Sequence, residues 1–135
     1  SNINKYIPES WKETPPENVW FGTSPVNQET ADKLIPQLLE VKGNKFLSIE
    51  PQLDHITIRY DWVNHYPTRD AKIGWVINGG ESGHNRRPFD LNWARSLRDQ
   101  CSAADIPFFF KQIDKVRDKT EGIPEDLQIR QFPKF

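Results

Sequence analysis

Trp75-Val-Ile-Asn-Gly-Gly-Glu-Ser-Gly83 is the stretch from which the fold is read. A short apolar run, Trp75 to Ile77, stops at two glycines, a carboxylate and a hydroxyl. A polar loop follows, and then a helical segment opening at Asp90, so the order is buried strand, Gly-rich turn, helix. In an α/β protein the carboxyl end of such a strand is where ligands bind. Glycines there let the backbone turn sharply and approach a ligand closely. The next helix offers free N–H groups and the positive end of its dipole. The plainer alternative is a tight turn with a solvated Glu81.

The rest of the chain repeats the theme. Asn18-Val-Trp-Phe-Gly-Thr-Ser24 predicts a strand ending in Gly and hydroxyls. Ala31, Leu34, Ile35, Leu38 and Leu39 then form a one-sided helical stripe, with Asn27 or Thr30 as its cap. Pro36 predicts a kink or a late helix start, and Gly43 a stop. Lys45-Phe-Leu-Ser-Ile-Glu-Pro51 is a second strand, with Leu47 and Ile49 on one side and Phe46, Ser48 and Glu50 on the other. Residues 73–78 make the third strand, a helix runs from Asp90 to about Ala104, and Ile106-Pro-Phe-Phe-Phe-Lys-Gln112 is the fourth strand. Residues 1–17 predict an irregular lead-in, 52–72 an insertion with a strand-like alternation from Ile56 to Trp62, and 113–135 a surface strap.

The pattern is β-α-β-(insert)-β-α-β, so the expected fold class is α/β with a parallel sheet and right-handed crossovers. Four strands and two helices amount to half of a TIM-like barrel, or to an open sheet that needs cover from elsewhere, because parallel sheets are covered on both faces. The 135 residues suit a single domain or a fragment, with the α/β part at 18–112. Only 36% of residues are hydrophobic, low for a self-sufficient globule, which predicts self-association of the fragment. The absence of Met and the opening Ser1-Asn2 lead to the expectation of a piece of a longer protein.

Eighteen basic and nineteen acidic residues give a net charge of −1, so no global field draws the chain to nucleic acid or an acidic membrane. Basic and aromatic residues are not interleaved on one strand, which leaves nucleic-acid binding open but unforced. No apolar run reaches the ~18 residues of a membrane span, and no basic-then-apolar leader is present. The single cysteine, Cys101, excludes an internal disulfide framework and fits a reducing cytoplasm. It falls on the apolar stripe of its helix, which predicts a core residue and not a nucleophile.

Each strand ends in polar groups on the same nominal side: Thr23 and Ser24; Ser48 and Glu50; Asn78, Glu81 and Ser82; Lys111 and Gln112. Two carboxylates and a lysine at one mouth suit acid/base work, or the amino and carboxylate groups of a small ligand. A structural Glu50–Lys111 ion pair is the alternative. Arg86 and Arg87, after His84 and Asn85, suit a phosphate or carboxylate beside a helix start, or a solvated loop. No P-loop, dinucleotide fingerprint, nucleophile elbow or His/Cys metal spacing occurs.

Several ordered motifs carry a resemblance. Asn18-Val-Trp-Phe-Gly-Thr-Ser24, Asn27-Gln-Glu-x-Ala-Asp-x-x-Ile-Pro36, Ser48-Ile-Glu-Pro51, Trp75-Val-Ile-x-Gly-Gly-Glu-Ser-Gly83, Arg87-Pro88, Trp93-Ala-Arg-Ser-Leu-Arg-Asp-Gln-Cys101 and Pro107-Phe-Phe-Phe-Lys-Gln112 resemble the phage gene-product-thirty-seven/sixty-eight family. The match runs from about Pro16 to the end, departing at His84-Asn-Arg-Arg87, where many members carry a Gly. The resemblance implies a radical-SAM-like parent: an upstream cysteine triad for a [4Fe–4S] cluster, S-adenosylmethionine (SAM), and a partial barrel of which this chain is the carboxyl-terminal half. It implies no cofactor held by this chain alone, and the amino-terminal half of the parent as partner. Glu50, Glu81 and Lys111 are then the expected polar contacts, Ser24, Asn78, Gly79 and Gly80 shape the site, and Ser82, Arg87 and Gln112 complete it. A non-catalytic scaffold using the Gly-rich loop and Arg86/Arg87 for an anionic partner is the second expectation.

Overall fold

Alternation of buried and half-buried residues runs along Asn44–Ile49 and Phe108–Gln112, and along the strand from Trp75 as far as Asn78, and it sets the architecture. In the computed structural model, which describes residues 2–63, 72–81, 87–114 and 122–134, the elements are α1 (Asn2–Tyr6), α2 (Glu9–Glu13), β1 (Trp20–Thr23), α3 (Gln28–Leu39), β2 (Asn44–Ile49), α4 (Tyr60–Val63), β3 (Trp75–Gly79), α5 (Leu91–Ala103) and β4 (Phe108–Gln112), with a 3-10 turn at Glu125–Leu127. The protein is mixed α/β, and its four strands form one all-parallel sheet in the order β1-β2-β3-β4.

Register keeps like with like. Leu47 lies opposite Val76, which lies opposite Phe108, and all three are buried; Phe46 lies opposite Trp75, and Ile77 opposite Phe109, all half-buried. The buried set shares one core with Ala31, Ile35 and Leu38 of α3 and Ala94, Leu97 and Cys101 of α5. Both helices therefore cover the same face, as right-handed crossovers stepping one strand at a time in one direction require. The other face, opposite α3 and α5, carries Trp20, Phe46, Trp75, Ile77 and Phe109.

Local sequence explains the helix starts. Asn27 caps α3: its Oδ1 accepts from the Thr30 N–H at 2.9 Å, while Thr30 Oγ1 accepts from the Asn27 N–H at 3.1 Å, so both predicted cap residues serve one reciprocal box. α3 begins at Gln28 and continues through Pro36, so the late start expected from that proline is not found. Asp90 caps α5 as predicted, accepting from the Asn92 N–H at 2.8 Å.

Three outlying segments differ from the sequence reading. The lead-in is not wholly irregular: α1 and α2 form there, and Ile3, Ile7 and Trp11, spaced i, i+4, i+8 across Pro8, pack on the core. Among the described residues the insertion has no strand. Residues 52–59 run outside regular structure, and a short helix, α4, buries Trp62 and Val63. Its backbone is served by side-chain amides instead of a neighbouring strand. Gln28 Oε1 accepts from the Thr57 N–H, and Gln100 both accepts from the Ile58 N–H (2.6 Å) and donates to the Ile56 carbonyl (2.9 Å). The strap is more than surface: Ile123 and Leu127 are buried, and the chain around Arg130 pairs antiparallel with β4 through Phe110 N–H to Ile129 O (2.8 Å) and Gln131 N–H to Phe108 O (3.0 Å). Arg95 and Arg98 of α5 hold it through Asp126.

Candidate functional site at the carboxyl ends of the strands

Parallel register brings the predicted polar residues to one end of the sheet. Ile49 pairs with Asn78 and Gly79 with Gln112, so Glu50, the end of β3 and Lys111 stand side by side. Ser24, past the end of β1, is exposed. Lys111 donates from Nζ to Glu50 Oε1 at 3.0 Å, on the face opposite the helices; the two side chains are 31% and 20% exposed. The pair reaches across β3 from the strands on either side of it. A Cβ at Gly79 would come within 3.3 Å of Glu50 Oε2, so the glycine there leaves room for the carboxylate. Glu50 Oε2 is enclosed and has no hydrogen-bond partner among the described residues. Lys111 gives one of its three N–H donors to Glu50, and the described residues take none of the other two.

Glu81 is placed elsewhere. Its Oε1 accepts from Arg87 Nη2 (2.9 Å), and its Oε2 from Arg87 Nε (2.9 Å) and the Arg87 backbone N–H (2.7 Å). This two-toothed clamp ties Glu81, just past β3, to Arg87, ahead of α5. The side-chain hydrogen bond from Arg87, helped by its backbone N–H, holds the Glu81 carboxyl down at about 2. The Nε–Nη2 edge of Arg87, expected to hold an anion, is thus occupied by Glu81. Ser82, His84 and Arg86 lie outside the described residues.

Asn78 and Gln112, expected to shape and complete the site, lie on the other face of the sheet from the Glu50–Lys111 pair. Both are buried, on the helix-covered side. Asn78 Nδ2 donates to the Ile49 carbonyl (3.2 Å) and to Gln52 Oε1 (2.8 Å); Gln112 Nε2 donates to the Gly80 carbonyl (3.3 Å). Their oxygens, Asn78 Oδ1 and Gln112 Oε1, are buried without a donor among the described residues. Gly80 serves close packing, since a Cβ there would collide with the Ile113 carbonyl. Gln52 was missed in the sequence; it is buried, and its backbone N–H donates to the Gly79 carbonyl at 3.0 Å.

Toward the amino end the same open face turns aromatic. Trp75 is its centre, with ring centroids 6.2 Å from Trp20, 6.1 Å from Phe46, 6.5 Å from Phe109 and 5.7 Å from Phe132 of the strap. Among the described residues no three His, Cys, Asp or Glu side chains gather as a metal site requires, and no helix is long and apolar enough to cross a membrane. Cys101 is core, as predicted, and burial pushes its thiol up to about 12.

The family model described as protein of unknown function (DUF5131) matches residues 1–131. The chain belongs to the DUF5131 family. No curated protein and no solved structure matches it. Among the described residues of this DUF5131 chain the polar mouth holds an ion pair on the open face, Glu50–Lys111, and a clamp beside it, Glu81–Arg87.

Proposed function

We propose that this chain is the carboxyl-terminal half-barrel of a phage-related, radical-SAM-type protein, and that Glu50 and Lys111 hold the methionyl end of SAM in the longer parent. The observation that carries the reading is the Glu50–Lys111 pair, 3.0 Å apart at the carboxyl end of a parallel sheet and on the face opposite α3 and α5. One carboxylate and one ammonium side by side complement the –NH3+ and –COO− of an amino-acid end: the ligand's cation meets Glu50, and its anion meets the two remaining donors of Lys111. Sequential strand order, α3 and α5 on one face and an aromatic opposite face support the barrel half of the proposal. Cys101 is buried in the core and does not fit a cluster ligand, so the thiolates for a [4Fe–4S] cluster fall to the upstream half. The cluster and SAM, when bound, supply radical chemistry; this half binds and orients. Alone it is inactive.

Calorimetric titration of the full-length parent with SAM tests the proposal. Glu50→Gln and Lys111→Met should each weaken binding by about 1–3 kcal/mol, the loss of a charge-assisted hydrogen bond. Unchanged affinity in both folded variants, or a parent without bound iron, overturns it.

A further inference from the structure

The open mouth contains a second, buried layer, centred on Asn78. We propose that Asn78, with Gln52, is a positioning residue that holds Glu50 against Lys111 without touching any ligand. The inference rests on the reading of Glu50–Lys111 as the ligand-holding pair.

Four hydrogen bonds make the case. Asn78 is completely buried, and both donors of its amide are used: one on the carbonyl of Ile49, the residue before Glu50, and one on the side chain of Gln52, two residues after it. Gln52 returns the contact by donating its backbone N–H to the carbonyl of Gly79, next to Asn78 (3.0 Å), and its own Nε2 donates to the Asp54 carbonyl (3.0 Å). The turn carrying Glu50 is therefore bracketed on both sides by one amide of the adjacent strand. A further tie, Leu53 N–H to the Val26 carbonyl at 2.9 Å, holds the same turn toward the β1–α3 connection. Asn78 lies on the parity of Val76, facing the helices, whereas Glu50 and Lys111 lie on the opposite parity. An ion pair between side chains from two non-adjacent strands survives only if both backbones are held in place. β4 is held by its ladder to β3, but Glu50 lies just past the last paired residue of β2. Asn78 supplies what the ladder no longer does. An aspartate or a leucine of similar size would fill the space but lack the two donors.

The test reads the Lys111 side-chain ammonium by 15N NMR in this 135-residue chain. Replacing Glu50 by Gln should move the Lys111 Nζ resonance in the otherwise unaltered protein. In an Asn78→Ala background the same Glu50→Gln change should leave it unmoved, because the carboxylate no longer sits at the lysine. Gln52→Met, which removes the acceptor of one Asn78 bond together with the Gln52 donor to the Asp54 carbonyl, should reduce the Glu50-dependent shift by about half, and it decides the matter if Asn78→Ala does not fold. A Lys111 response of full size in folded Asn78→Ala, or in Gln52→Met where Asn78→Ala is unfolded, overturns the inference. The readout needs no ligand, so failure of SAM binding in the parent would sink the proposed function while leaving this measurement to stand or fall alone.

Discussion

Gly80→Ala should be the most damaging single-methyl change in the Gly-rich turn, and Gly79→Ala next to it one of the mildest. At Gly80 a Cβ would land on the Ile113 carbonyl oxygen, 3.1 Å from the Ile113 carbon and 3.3 Å from Phe89 Cβ. The obstacle is backbone on β4's exit, not the tip of a flexible side chain, so β3 and β4 must part. The Gly80 N–H to Gln112 carbonyl bond, 2.9 Å, and the Gln112 side-chain bond to the Gly80 carbonyl, 3.3 Å, both cross that gap. Overpacking costs about 1–3 kcal/mol, and losing one of the two hydrogen bonds about 0.5–1.5 kcal/mol. A loss of ~2–4 kcal/mol is expected, a large part of a typical domain's ~5–15 kcal/mol. At Gly79 the contacts of a new Cβ are 3.3 to 3.4 Å, so neighbours yield by a few tenths of an ångström and the cost stays below ~1 kcal/mol. Urea melts of both variants, compared at equal m-value, measure the difference. A Gly80→Ala protein as stable as Gly79→Ala would refute the packing role assigned to this glycine.

Two other outcomes follow from the titrating groups. Glu81 sits at about 2 in the folded chain against an ordinary 4.5, so its clamp on Arg87 is complete above the ordinary glutamate range and lost as pH falls toward 2; the Arg87 amide resonance should hold its position at pH 4 and move only below about 3, and a midpoint near 4.5 would contradict the clamp. Cys101, 1% exposed with its thiol pushed up to about 12 by burial, should resist a thiol-specific disulfide reagent at pH 8 in the native chain and react only as fast as the chain unfolds; immediate stoichiometric labelling would show it is not in the core.

The strands, their parallel relation, both long helices and the Glu50–Lys111 neighbours were legible because each rests on a period or a strand end. Apolar runs stopping at polar residues mark where strands leave the sheet, and parallel topology then aligns the stops. Pairings across a folded-back loop were not legible. Glu81 and Arg87 are six residues apart with a glycine between, and nothing local says the loop closes on itself rather than opening to a ligand. The anchoring contacts of Asn78 were not legible for the same reason that Gln52 was missed: an amide at a strand end looks alike whether it faces a ligand or anchors backbone. Parity with Val76 was the available signal for Asn78. The same rule places Lys45 with Leu47 and Ile49 on the covered face, where it is 1% exposed and its Nζ donates to the Gly43 carbonyl at 2.8 Å. The insertion's alternation from Ile56 to Trp62 fails at Tyr60, which is 78% exposed, and the partners of the backbone at Thr57 and Ile58 are the Gln28 and Gln100 side chains, which no strand period reveals.

The two edges of the sheet are unequal, and that bears on how a longer parent would use it. Along β4 the strap takes up backbone groups of Phe108 and Phe110, Arg130 donates to the Lys111 carbonyl at 3.0 Å, and its guanidinium lies 5.0 Å from the Phe109 ring centroid. A closing strand of a complete barrel would need that edge. Among the described residues no strand pairs with the outer side of β1. Strands added by an upstream half would therefore join at β1 and leave the barrel open beside β4. Without that half, the β1 edge is also the one through which copies of this chain would associate, since an unpaired strand edge is a template for pairing. On the open face Phe132 already covers part of the amino end, tilted against Trp75 and edge-on to Phe109, while the carboxyl end keeps the Glu50–Lys111 pair within reach. A ligand entering from the carboxyl side would meet that pair before the aromatic floor, which is why the charge pair, more than the aromatic cluster, sets the class of ligand the proposal names.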